Sequence, residues 1–191
     1  MKECLPEAAS KKYTLIVEYS LAIVSELSRE PVKHGGYLLN AGFPLIIFDY
    51  LSSGILKLRE YALNSLQFLI QQNKAWRKLM GVGGDHSVPV NGCIPLLISM
   101  MSSSSVSLQQ SSIQILSKFL NDEMDENRNS ANLRDENNKE VTAVDVIYKY
   151  RKQFLEKLLL ILTNPTITSQ TIPIINHSYN LLRNFLLPGQ L

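Results

Sequence analysis

GFPLIIFDYLSSGILKLREYALNSLQFLIQQ, residues 42–72, and GCIPLLISMMSSSSVSLQQSSIQILSKFLND, residues 92–122, read as two copies of one unit. Each opens with glycine shortly before proline and an apolar run, crosses a serine-rich turn and closes on a longer amphipathic stretch. Leu58, Leu63 and Leu66 of the first copy occupy the places of Leu108, Ile113 and Leu116 of the second. Proline suits the first turn of a helix, where the N–H it lacks would be unpaired anyway. Apolar residues at spacings of three and four line one helical face. The spacing therefore predicts a short helix, a turn and a long helix in each copy. A third, weaker copy covers residues 153–186, QFLEKLLLILTNPTITSQTIPIINHSYNLLRNFL, with a turn at Asn164-Pro165.

Pro44 and Pro95 are 51 positions apart, and Gly81 to Asn91 reads as a loop of 11 residues inside that interval. What remains is roughly 40 residues, the period of armadillo and HEAT-type repeats. The acidic, Asn-rich stretch from residue 121 widens the next interval in the same way. Upstream, YTLIVEYSLAIVSELS (residues 13–28) has helical apolar spacing, and Arg29-Glu30-Pro31 marks its stop. His34-Gly35-Gly36 reads as a corner before a short helix, YLLNAG. The expected fold is all-α, an armadillo/HEAT-like right-handed helical solenoid of about three to four repeats. It forms a single domain over residues 1–191, with loop insertions at 81–91 and 121–142.

The chain has 191 residues, 45% of them hydrophobic and 19% charged, which suits a globular protein with a sizeable core. Its apolar runs are too short to span a bilayer, and MKECLPEAASKKY lacks the apolar region of a secretory signal, so no membrane association and an intracellular location are expected. Cys4 and Cys93 lack motif spacing and read as reduced thiols. Residues 121–140 carry seven acids and three bases, so the remaining chain holds 16 bases and 10 acids, a net +6 that permits a polyanionic partner.

The closing helices carry polar stripes. Glu60, Asn64, Gln67 and Gln71 follow the spacing i, i+4, i+7, i+11, as do Gln110, Gln114, Ser117 and Asn121. Asn176, Asn180 and Arg183 repeat the first three steps. Stacked repeats would set these stripes side by side in a groove for an extended peptide or nucleic acid. Any one stripe alone fits a plain solvated face better, and only the three in register bring the groove reading level with it. Glu60, Asn64, Gln67, Gln114, Ser117, Asn176, Asn180 and Arg183 are the candidate groove residues.

Chemical alternatives are weaker. G-G-D-H-S at 83–87 resembles a fragment of a manganese hydrolase of the arginase kind, but such a site needs many Asp and His ligands and the chain has three histidines. The glycines at 81, 83 and 84 serve instead as helix stops. No phosphate loop or nucleophile elbow is present. Trp76 with Lys74, Arg77 and Lys78, and Tyr148 with Lys149, Tyr150, Arg151 and Lys152, would suit base stacking and phosphate neutralisation. A buried aromatic flanked by solvated cations fits the same residues better. No catalytic residue, cofactor or metal is expected, and the chain reads as a non-enzyme.

SLAIVSELSREPVKHGGYLLNAGFPLIIFDYL, residues 20–51, resembles the armadillo subunit of the CCR-NOT deadenylase complex, the "required for cell differentiation" family. Pro31, Leu39, Ala41, Pro44, Leu45 and Leu51 match the family pattern, and Phe48 and Tyr50 keep its aromatics. The likeness continues through LREYALNSLQFLI, IPLLISMM and FLEKLLLIL to HSYNLLRN, most of the chain from about Tyr13. It implies a non-catalytic scaffold subunit of mRNA deadenylation, decay and repression, located in cytoplasm and nucleus. It also implies docking on the large helical NOT scaffold protein, peptide motifs of recruiting proteins, single-stranded nucleic acid in a basic groove, and a homodimer. The generic alternatives are a peptide-binding armadillo adaptor or a stand-alone nucleic-acid-binding protein. Three family features lack a counterpart: the first repeat, the Tyr-x-Arg of the tryptophan pockets, which Tyr148 to Arg151 approach out of register, and the arginines after the last matched helix.

Overall fold

The structure, a computed structural model, describes the backbone of residues 7–84, 88–130, 141–163 and 168–186. Within these it describes the side chains outside 7–14, 31–32, 72 and 122–130. The described residues form α-helices and no strand: α1 (Glu7–Ser28), α2 (Pro31–Asn40), α3 (Phe43–Leu51), α4 (Leu56–Gln72), α5 (Lys74–Val82), α6 (Ile94–Met100), α7 (Val106–Ser130), α8 (Ala143–Lys149), α9 (Arg151–Thr163) and α10 (Ile172–Leu186).

After α1 two shorter helices followed by a longer one recur three times, as α2–α3–α4, α5–α6–α7 and α8–α9–α10. The long helices neighbour one another in chain order: α4 packs against both α1 and α7, and α7 against both α4 and α10. Within each unit the middle helix packs on the long one. One apolar cluster runs through all units from Val24 to Phe185. Leu58, Leu63 and Leu66, and their equivalents Leu108, Ile113 and Leu116, are all buried in it. The apolar positions shared by the two copies thus point to the same core. Each long helix also buries a serine, Ser28, Ser65, Ser112 or Ser178, where a small side chain lets helices approach. The first three hydroxyls donate to carbonyls of their own helix, at Val24, Tyr61 and Gln109.

Several local expectations change. His34-Gly35-Gly36 is not a corner: Pro31 starts α2 and the helix runs through both glycines. A Cβ on Gly35 would stand 2.9 Å from the Asn73 amide nitrogen, so close packing explains a residue that costs about 1 kcal/mol of helix propensity. Gly81 is likewise inside α5 rather than at its end, since a Cβ there would lie 2.6 Å from that of Ala143. The stop is Gly83, at φ 74°. The insertion proposed for 81–91 therefore begins after Val82, and the chain then folds back onto the end of α5. Asn91 N–H donates to the Val82 carbonyl at 2.7 Å and Cys93 N–H to Met80 at 2.7 Å, which satisfies carbonyls that a helix end leaves unpaired. Gly92 also takes a positive φ, and a Cβ there would run into the Met80 carbonyl.

The proposed 121–142 loop is also revised, because α7 continues through it to Ser130. No proline or glycine interrupts residues 106–130. Residues 131–140 lie outside the described residues. Thr142 then caps α8 in a reciprocal box: its side chain accepts from Asp145 N–H, and the Asp145 carboxylate accepts from Thr142 N–H at 3.1 Å. The Asn164-Pro165 turn lies outside the described residues.

Candidate binding groove

On α4, Asn64 and Gln71 are exposed, and Glu60 and Gln67 are half-buried. On α7, Gln110, Gln114 and Ser117 are half-buried and Asn121 is exposed. These polar residues sit opposite the leucines of the core, so helical periodicity alone places them on the side away from it. The structure joins part of the set across helices. Gln67 Nε2 donates to Gln114 Oε1 at 3.2 Å, and Gln114 Nε2 meets His177 Nε2 at 3.3 Å, which makes one polar chain across α4, α7 and α10. Two flanking links run the same way. Ser105 Oγ donates to Glu60 Oε1 at 3.4 Å, and Asn184 Nδ2 to Asn121 Oδ1 at 2.8 Å.

The chain can run in either direction. With both amides turned, the imidazole would donate and Gln67 would accept, so a neutral His177 fits in either tautomer and a protonated one fits in the reversed sense.

The register differs from simple equivalence of repeats. Copies align with an offset of 50, pairing Asn64 with Gln114, whereas the bonded pair Gln67 and Gln114 is 47 apart. Between α7 and α10 the stripe alignment pairs Gln114 with Asn180, but the bond goes to His177, 63 residues on. Both pairings slip by three positions, close to one turn. The reason is geometric: a side chain that reaches a neighbouring helix sits on the flank of its own, while equivalent positions point in parallel. Asn176, Asn180 and Arg183 are accordingly exposed on α10 rather than bonded to α7 through the ladder. His177 and Asn184 lie outside the three predicted stripes, although their spacing of seven repeats that of Gln114 and Asn121.

Beyond α4, the face continues over α1. Lys57 Nζ bonds Glu18 at 3.5 Å, joining α4 to α1. A cavity of ≈ 670 Å³ opens there, lined from α1 by residues that include Tyr19, Ile23 and Glu26, and from α4 by Tyr61 and Asn64. Arg29 pairs with Glu26 at 3.1 Å and lies over the Phe68 ring at 5.7 Å. Glu30 pairs with Lys33 at 3.3 Å.

The aromatic–basic clusters are not open stacking platforms. Trp76 is wholly buried and its indole N–H donates to the Gly35 carbonyl at 2.8 Å, tying α5 to α2. Tyr148 stacks on Phe185 with centroids 4.7 Å apart and donates its hydroxyl to the Phe185 carbonyl. Lys149 bonds Asn91 at 3.0 Å. Cys93 is buried, and desolvation pushes its thiol up to about 12 despite an opposing backbone hydrogen bond. Asp85, His86 and Ser87 of the G-G-D-H-S stretch, like Cys4, lie outside the described residues. Among the described residues no cluster of three or more His, Cys, Asp or Glu could hold a metal ion. Among them, too, no helix is long and apolar enough to cross a membrane. Comparison with known proteins finds no matching family model, no matching curated protein and no matching solved structure.

Proposed function

We propose that the protein is a non-catalytic adaptor, an armadillo-like right-handed solenoid of three helix triplets preceded by one long helix, that holds an extended peptide of a partner across α4, α7 and α10. The observation that carries this reading is the Gln67–Gln114–His177 chain, which spans three long helices at one level. Packed helices stand about 8–10 Å apart, so crossing from α4 to α10 covers roughly 16–20 Å. An extended chain advances about 3.3 Å per residue, so roughly six residues cross the three helices. Amide side chains both donate and accept, as a peptide backbone requires. Bonded to one another, they are held in place before the ligand arrives, which lowers the ordering cost of binding.

Single-stranded nucleic acid is the second reading, favoured by the net +6 outside residues 121–140. The groove residues themselves speak against it. Glu60 lies within the stripe and Glu18, Glu26 and Glu30 lie beside it, while Trp76 is unavailable for stacking. The partner in the cell is proposed to be the NOT scaffold of a deadenylase complex, on the strength of the resemblance in residues 20–51.

Replacing Asn64, Gln114 and Asn180 together by alanine should weaken peptides selected from a degenerate decapeptide library by about tenfold or more. Helicity by circular dichroism should stay unchanged, because none of the three sits in the apolar core. Undiminished affinity in the triple variant would refute the groove.

A further inference from the structure

We propose that the cavity between α1, the start of α2 and α4 is a recognition site for a basic side chain, arginine or lysine, of the peptide partner. This rests on the groove reading above, since Asn64 belongs both to the α4 stripe and to the cavity wall.

A long cationic side chain needs an apolar passage for its methylenes and oxygen acceptors for its head. Tyr19, Ile23 and Leu27 of α1 and Tyr61 of α4 supply the first, with Tyr19 69% and Ile23 62% exposed. The two tyrosines add ring faces that attract a cation. Beside Arg29 and His34 of the same lining, with His34 Nε2 3.9 Å from Glu30, the glutamates Glu26 and Glu30 supply the acceptors. Their side chains are 66% and 62% exposed, and pairs of that kind with Arg29 and Lys33 contribute at most about 1 kcal/mol, so an incoming cation displaces them readily. Glu26 also stands in the last turn of α1, where the helix dipole disfavours a negative charge and its partner is Arg29, just beyond the helix end.

Ser25 points to a ligand independently of the carboxylates. It is only 8% exposed, it lines the cavity, and its hydroxyl makes no hydrogen bond among the described residues. Its neighbours along α1 behave differently: Ser20 and Ser28 close on the carbonyls of Ile16 and Val24 at 2.8 and 2.7 Å. A hydroxyl that opens on a cavity is free to bond what enters it. A guanidinium or ammonium donates there while the hydroxyl oxygen accepts.

The test uses the full chain and decapeptide arrays in which arginine, norleucine or glutamate is fixed at each position in turn on a degenerate background. The wild type should retain arginine over norleucine at one position by about tenfold. Glu26→Gln/Glu30→Gln should abolish that preference while keeping the same circular dichroism and the same affinity for norleucine peptides. Gln114→Ala/Asn180→Ala, remote from the cavity, should weaken all peptides alike and keep the preference. Equal retention of arginine and norleucine by the wild type, or an undiminished preference in Glu26→Gln/Glu30→Gln, overturns the site and leaves the groove standing. Unchanged affinity in Gln114→Ala/Asn180→Ala overturns the groove and leaves the site standing. An oligo-dT that competes with the arginine peptides and binds more tightly to Glu26→Gln/Glu30→Gln would make the cavity part of a nucleic-acid path and overturn the assignment.

Discussion

The indole of Trp76 ends on the Gly35 carbonyl, 41 residues earlier in the chain, at a point closed to water. Trp76→Phe keeps most of the ring and deletes the donor, so the carbonyl loses this partner. The expected cost is about 1–3 kcal/mol, read as a lower urea midpoint at unchanged slope. A midpoint equal to wild type would show that the bond contributes nothing. Cys93 gives a second reading of the same core. A thiol pushed up to about 12 by burial stays protonated in the fold, so alkylation at pH 8 should proceed only as fast as the chain opens. Between the ordinary thiol value of 9.0 and about 12, the folded state binds the proton and the unfolded state has lost it. Stability should therefore fall as pH rises through that window, and Cys93→Ala should fall less steeply. Of these residue roles the sequence discloses little. Trp76 between cations reads better as a buried anchor than as a stacking platform, but nothing local names the distant carbonyl that it bonds.

At the level of elements, the slip of three positions between neighbouring long helices can be measured. A double-mutant cycle on Gln67 and Gln114 should give a coupling of about 0.5–1 kcal/mol, and one on Asn64 and Gln114, the sequence-equivalent pair, should give none. The reverse pattern would restore the unslipped register. Thr142→Ala removes the side-chain half of the box that starts α8, leaving the backbone N–H of residue 142 to the Asp145 carboxylate, and should destabilise the fold by about 1 kcal/mol in urea. Here the sequence is more legible. Pro44 and Pro95 each mark a helix start, and the leucines shared by the two copies mark the same buried face. What stays hidden is where a helix ends without proline or glycine, as in α7, and where a glycine packs instead of stopping, as at Gly35 and Gly81. Both depend on contacts that no local pattern encodes.

Among the described residues of the molecule, α1 packs on α4 and α2 with one face and leaves the other exposed. Leu15, Tyr19, Ile23 and Leu27 of α1 fall four residues apart and are all exposed, while Leu21 and Val24 on the other side are buried. A helix apolar on both sides belongs between two layers. The homodimer that the family resemblance implies would run through this stripe, and would then compete with a peptide side chain for the cavity that Tyr19, Ile23 and Leu27 line. Sedimentation of the wild type should show association that rises with concentration, and Ile23→Glu should remove it without loss of helicity; a wild type monomeric at every concentration would contradict this. The polar groove, by contrast, stays open to a different partner. Tagged full-length protein and its Asn64→Ala/Gln114→Ala/Asn180→Ala variant should be purified side by side from the native cell, with the bound proteins identified by mass spectrometry. An adaptor of the proposed kind brings down a large helical scaffold with its deadenylase subunits and loses them in the variant; their reproducible absence from the wild-type sample, or equal recovery by the variant, would contradict it.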